Sequence, residues 1–162
     1  MMSTANTLQV TTPGDREILI SRDFNAPRQM VFDAHTKPEL MRLWLFGPDG
    51  WRLDVCEVDL RVGGKYRLVF AKGDTSMGMS GEYRDIDAPA RLVTTELFDQ
   101  DWTGGETLCT ATFSELAGKT RLETRVLYSS KEARDGALRS GMTDGMEAGY
   151  ARLEKILMAK AA

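Results

Sequence analysis

Histidine occurs once in the chain, at His35, and cysteine twice, at Cys56 and Cys109. A Ser/His or Cys/His nucleophile therefore has a single base to draw on, and His35 stands in VFDAHT with no nucleophile motif around it. It reads as a partly exposed residue of a short helix. A Cys/His zinc site has too few ligands, and the two cysteines form no CxxC pair, so they read as free, buried thiols. VGGK and TGGE lack the further glycines and the helix that a phosphate cradle needs, which leaves them as strand-end turns. No catalytic residue, metal or cofactor is expected.

Carboxylates offer more. Glu57 and Asp59 alternate along one strand face, and Glu96 shares a face with Phe98. A carboxylate turned into an apolar cavity would titrate high and could serve as an acid or a base. On a wet strand the same residues are solvated, or pair with Arg61, Arg67 and Arg84, and that is the reading adopted here. Aromatic and methionine residues give the stronger pattern. Trp44 and Trp51 flank FGPDG; Tyr66, Phe70, Met79, Tyr83 and Phe98 come from strands, and Trp102 from a loop; Met142, Met146 and Tyr150 come from the last helix. Thioether chains repack around varied shapes and tyrosine hydroxyls supply polar anchors, so these residues suit the wall of a pocket.

The elements that must position them follow from periodicity. EILISRDF, residues 17–24, alternates as a first strand. Short helices follow at PRQMVFDAHT and at PELMRLWLF, where Pro38 sits in the first turn. Six more strands are predicted, at 52–59, 65–71, 77–85, 91–98, 106–116 and 120–128, joined by short turns as an antiparallel meander. With Ala117-Gly118 as a turn, Phe113 faces Leu122, Ala111 faces Thr124 and Cys109 faces Val126. KEARDGALRS then leads into a helix from about 143 to 160, with Met142, Met146, Gly149, Tyr150, Leu153, Ile156 and Leu157 on one arc and Asp144, Glu147, Glu154 and Lys155 outside it. Strands, two short helices and a long last helix make an α+β fold, with seven strands curved around that helix. Gly63-Gly64, Gly78 and Gly81 are the places expected to bend. Residues 1–15 read as a flexible tail and 16–162 as one domain.

A formal charge of −3 lacks the excess of Lys and Arg that phosphate binding needs, and no apolar run is long enough to span a bilayer. Nucleic acid and membrane are not expected as partners, and a cytoplasmic location is. An exposed sheet edge would allow a homodimer.

The stretches FNAPRQMVFDAHTKPELMRLWL, DLRVGGKYR, SGEYRDIDAPARLVTTE, GKTRLETR and GMTDGMEAGYARLEKIL, in this order and spacing, resemble the AHSA1-like (activator of Hsp90 ATPase homologue 1-like) branch of the START/Bet v1-like SRPBCC superfamily. That resemblance implies a helix-grip fold, with an internal cavity that commonly takes small hydrophobic molecules. The expectation is a hydrophobic-ligand binding protein with Trp44, Trp51, Tyr66, Phe70, Met79, Tyr83, Phe98, Met142, Met146 and Tyr150 in its wall. Two alternatives stay open: a cyclase- or dehydratase-like enzyme using a buried carboxylate or tyrosine, and a chaperone-interacting, Hsp90 activator-like module. Gly145 and Gly149 remove bulk from the start of the last helix, either for close packing or to open the cavity.

Overall fold

The computed structural model describes residues 6–101 and 104–161; Trp102 and the first five residues lie outside them. Strand β1 (Gln9–Thr11) and β2 (Glu17–Phe24) are followed by helices α1 (Arg28–Thr36) and α2 (Pro38–Met41). Strands β3 (Arg52–Val58), β4 (Lys65–Lys72), β5 (Thr75–Asp87), β6 (Arg91–Phe98), β7 (Thr107–Leu116) and β8 (Lys119–Leu127) come next, then α3 (Lys131–Arg139) and α4 (Met142–Ala161). All strand pairs are antiparallel, in the order β1-β2-β8-β7-β6-β5-β4-β3.

The sheet has eight strands where seven were expected. The extra one, β1, pairs Val10 with Ile20 and covers the outer edge of β2 with three residues. Leu8 packs against both core clusters, which gives this short strand an apolar tether. The β7–β8 hairpin has the expected register, Phe113 to Leu122, Ala111 to Thr124 and Cys109 to Val126. Ala117 and Gly118 both take positive φ, at 55° and 78°, the conformation a two-residue turn needs to match strand twist.

The ladder is irregular at two places. Register shifts occur between Leu53 and Val55 and between Tyr83 and Asp85. Gly78 and Gly81 instead make room for side chains that cross the sheet. A Cβ at Gly81 would overlap the Thr95 carbonyl oxygen and the Tyr66 ring; one at Gly78 would overlap the Arg67–Asp99 pair. The missing side chain on one strand is filled by a large one from its neighbour.

Helix α4 lies in the grip of the sheet, with Tyr150, Leu153 and Leu157 buried against Phe24, Phe113 and Leu122. Glu147 and Glu154, expected on a solvent face, turn to β2 and pair with Arg22 at 3.2 and 3.0 Å. The Arg22 side chain is only 4 % exposed, and two carboxylates compensate its burial. Ser130 caps α3 by accepting the Ala133 amide hydrogen.

Candidate functional site

Alternation along four adjacent strands builds the inner wall. Thr94 of β6 pairs with Tyr83 of β5 and with Cys109 of β7, which pairs with Val126 of β8. One row further, Leu92 faces Ala111, which faces Thr124. In the opposite direction Glu96 faces Thr107. This wall is mixed: Tyr83, Leu92 and Val126 are buried, whereas Thr94, Glu96, Cys109, Ala111 and Thr124 are half-buried although they sit mid-sheet. Across from them, Met142 and Met146 of α4 are half-buried as well.

The end of the interior under the second half of α4 is closed by rings. Trp44 stacks on Tyr150 at 5.5 Å, and His35 meets Trp44 and Phe113 edge-on at 4.8 and 5.4 Å. The Trp44 indole nitrogen donates to the Ala34 carbonyl at 2.9 Å. His35 is half-buried, in line with the partly exposed residue expected, and its ring packs inward one helical turn beyond the buried Val31. Its Nδ1 donates to the Val31 carbonyl at 2.7 Å, and Nε2 has no partner. Burial holds its pKa down at about 4, opposed by that backbone bond, so the ring is neutral.

Polar chemistry gathers at the other end. Burial pushes the Glu96 carboxyl up to about 7. Burial also raises Cys109 and Tyr66, with Glu96 adding to both, and holds Tyr83 at about 12. Burial is again the main cause that lifts Tyr150 to about 12, against its hydrogen bond with Thr124. Glu96, expected to be solvated or ion-paired, is half-buried and has no cation partner among the described residues. Of the other two carboxylates considered, Glu57 is exposed and Asp59 pairs with Arg61, as expected, while Arg67 and Arg84 pair instead with Asp99 and Glu82.

The expected wall residues divide. Trp44, Tyr66, Met79, Tyr83 and Tyr150 are buried in one cluster, with Phe70, Phe98 and Met146 packed against it; Met142 packs on the second cluster with Met146. Trp51 stands apart from both, half-buried just before β3. Sequence reasoning left out Glu96, Cys109, Thr94 and Thr124 from the wall, although each shares strand parity with a residue it named. Both cysteines are free, Cys56 buried and Cys109 half-buried.

Two concavities open on the surface. One, of about 150 Å³, lies between α1, α2 and the end of α4, lined by Met30, Asp33, Ala34, Leu40, Trp44, Leu153, Ile156, Leu157 and Lys160. Another, of about 310 Å³, is lined by Arg16, Arg84, Thr95, Glu106, Thr107, Leu108, Leu127, Tyr128 and Ser129. Of the ten expected wall residues only Trp44 touches either. Among the described residues there is no group of three metal-ligating side chains, and no helix is long and apolar enough to cross a membrane.

The architecture recurs in solved structures. A protein from Rhodobacter sphaeroides is 32 % identical with a TM-score of 0.89, over 94 % of this chain and 99 % of that one. A protein from Staphylococcus epidermidis is 27 % identical, TM-score 0.80, over 94 % of each. The AHSA1-like protein from Aeromonas hydrophila, 18 % identical over 85 % of this chain and 93 % of its own, shares the fold with a TM-score of 0.67. No curated protein matches the chain. The sequence model of the activator of Hsp90 ATPase homolog 1-like proteins matches residues 25–158, and the chain, with its helix-grip fold, belongs to that family.

Proposed function

We propose that the protein binds a small hydrophobic molecule between the sheet and the first half of α4. Tyr66, Phe70, Met79, Tyr83, Phe98, Met142 and Met146 contribute the wall, Trp44 and Tyr150 close its far end, and Trp51 lies outside both clusters just before β3. One observation carries this reading: Thr94, Glu96, Cys109, Ala111 and Thr124, inward-facing residues of central strands, keep accessible surface beside two half-buried methionines. Side chains in a filled core are close-packed and lose that surface. Apolar walls with a few convergent polar groups are the usual make-up of a ligand site.

Native mass spectrometry of freshly purified protein tests it, with a co-purifying small molecule as the expected result. Bare protein that also gains no thermal stability from any member of a hydrophobic ligand panel refutes it. A second reading, a cyclase- or dehydratase-like enzyme, is favoured by the inward Glu96 alone. It requires the released molecule to change mass, by one water for a dehydratase, on incubation with the protein. An unchanged molecule leaves binding as the activity.

A further inference from the structure

Glu96 carries a hydrogen-bonding account that the protein does not close. An ionised carboxylate offers about four acceptor sites and no donor. Its neighbours have already committed their hydrogens elsewhere. The Tyr66 hydroxyl donates to the Thr95 carbonyl at 2.7 Å, the Tyr128 hydroxyl to Met142 Sδ at 3.6 Å, and the Thr107 hydroxyl to the backbone oxygen of Glu96 at 3.3 Å. What remains for the carboxylate is the Cys109 thiol, 4.0 Å from Oε2, a weak donor at long range. No cation lies within ion-pairing distance among the described residues; of the buried arginines, Arg22 is taken by Glu147 and Glu154 and Arg134 by Asp135.

Glu96 is half-buried and inward-facing with no cation partner among the described residues, so its lone pairs are open to whatever occupies the space beside it. We propose that Glu96 is the polar anchor of the interior and that the molecule held there is an apolar amine, whose protonated head donates to the Glu96 carboxylate while its body lies along Met142 and Met146. This rests on the ligand-binding reading above and adds the class of ligand. The groups facing Glu96 are Tyr66 from β4, Cys109 from β7 and Tyr128 beyond β8, all held neutral by burial, while α4 brings Met142. An amine head therefore meets one negative charge and no competing positive one. Without ligand the carboxyl takes a proton as pH falls through about 7, so the preference for amines weakens below neutrality.

The test is a matched series, titrated calorimetrically into the whole protein at about pH 8, above the Glu96 titration: phenylbutylamine, phenylbutanol, pentylbenzene and phenylpentanoate. The amine is expected to bind at least about tenfold tighter than pentylbenzene, from a charge-assisted bond of roughly 1.5–3 kcal/mol. Phenylpentanoate should bind weakest, and in Glu96→Gln the amine-to-hydrocarbon ratio should fall towards one. Equal binding of amine and pentylbenzene, a preference for phenylpentanoate, or a ratio that survives Glu96→Gln overturns the assignment and leaves ligand binding standing. If no member of the series binds, the amine assignment falls, and native mass spectrometry with the wider ligand panel decides the ligand-binding reading separately. Should Glu96→Gln fail to fold, NMR of wild-type protein labelled at glutamate Cδ decides. Saturating amine at about pH 6 is expected to ionise a glutamate otherwise protonated there, and an unmoved signal overturns the proposal.

Discussion

Helix α4 passes two kinds of surroundings in five turns. From Tyr150 onward it presses Tyr150, Leu153 and Leu157, each at most 6 % exposed, into rings contributed by α1, β2 and β7. Its first half presents Met142 and Met146, half-buried, to a wall of threonines, a thiol and a carboxyl. His35 lies towards one end and Glu96 towards the other, and burial shifts their pKa values in opposite directions. What separates them is space: His35 has spent its one N–H on Val31 and is wedged among rings with Nε2 unpartnered, whereas Glu96 keeps accessible surface beside the Cys109 thiol. The helix is bolted at one end and left with spare surface at the other.

The sharpest way to break that contrast is to truncate equivalent positions two turns apart. Leu153→Ala should lower unfolding free energy by roughly 2–5 kcal/mol, because a fully enclosed side chain leaves a cavity behind. Met146→Ala should lower it by about 1 kcal/mol or less, since its neighbourhood is already incompletely filled. Urea denaturation measures both, and equal losses would erase the distinction.

Titration separates the halves next. His35 binds its proton more weakly folded than unfolded, so its contribution is fully present above its unfolded value near 6.5 and is lost as pH falls to about 4, by roughly 3 kcal/mol. Glu96 is the reverse case, binding its proton more strongly when folded. Its burial is harmless below its unfolded value near 4.5 and destabilises increasingly as pH rises to about 7, again by roughly 3 kcal/mol. His35→Phe should flatten the acid side of the stability profile, and Glu96→Leu should raise stability at about pH 8. Thermal melts across pH check both; a Glu96→Leu profile parallel to wild type would show that the carboxyl is solvated after all.

Glycine substitutions give the smallest effects and sharpen the boundary between the halves. A Cβ on Gly149 would lie 3.4 Å from the Trp44 carbonyl oxygen and 3.5 Å from its ring, ordinary contact that a larger side chain would exceed. Gly149→Leu should therefore lower stability by roughly 1–3 kcal/mol through overpacking. Gly145 meets only Pro48 Cδ, at 3.9 Å, and Gly145→Ala should gain about 0.5–1 kcal/mol from helix propensity. Calorimetric melting temperatures of the two variants should move in opposite directions.

Much of this architecture is legible in the chain itself. Hairpin register follows from one turn and a clean alternation, because parity propagates from Ala117-Gly118 to every pair of β7 and β8. Parity also puts Glu96 beside Phe98 on the inner face, but depth is set by β4, β7 and α4 together, and no local pattern encodes it. His35 was recoverable, lying four residues after Val31 on the same helical stripe. Leu8 and Val10 likewise alternate well enough to announce β1. The Arg22 pairing with Glu147 and Glu154 was not recoverable, since its partners lie 125 and 132 residues away and each looks solvent-facing on its own helix. Close packing at Gly149 against Trp44, rather than against the sheet, is invisible for the same reason.

Arg152 shows what such long-range contacts do to the freedom of a sequence to drift. Its guanidinium donates to the carbonyls of Trp44 and Gly47 and to the Asp49 carboxylate, and lies 3.9 Å over the Phe46 ring. Two of those partners are backbone oxygens, which every amino acid supplies. The 45–49 loop can thus exchange much of its lettering while keeping its path, whereas position 152 tolerates no such drift: lysine carries the charge but lacks the planar fork that reaches three oxygens at once.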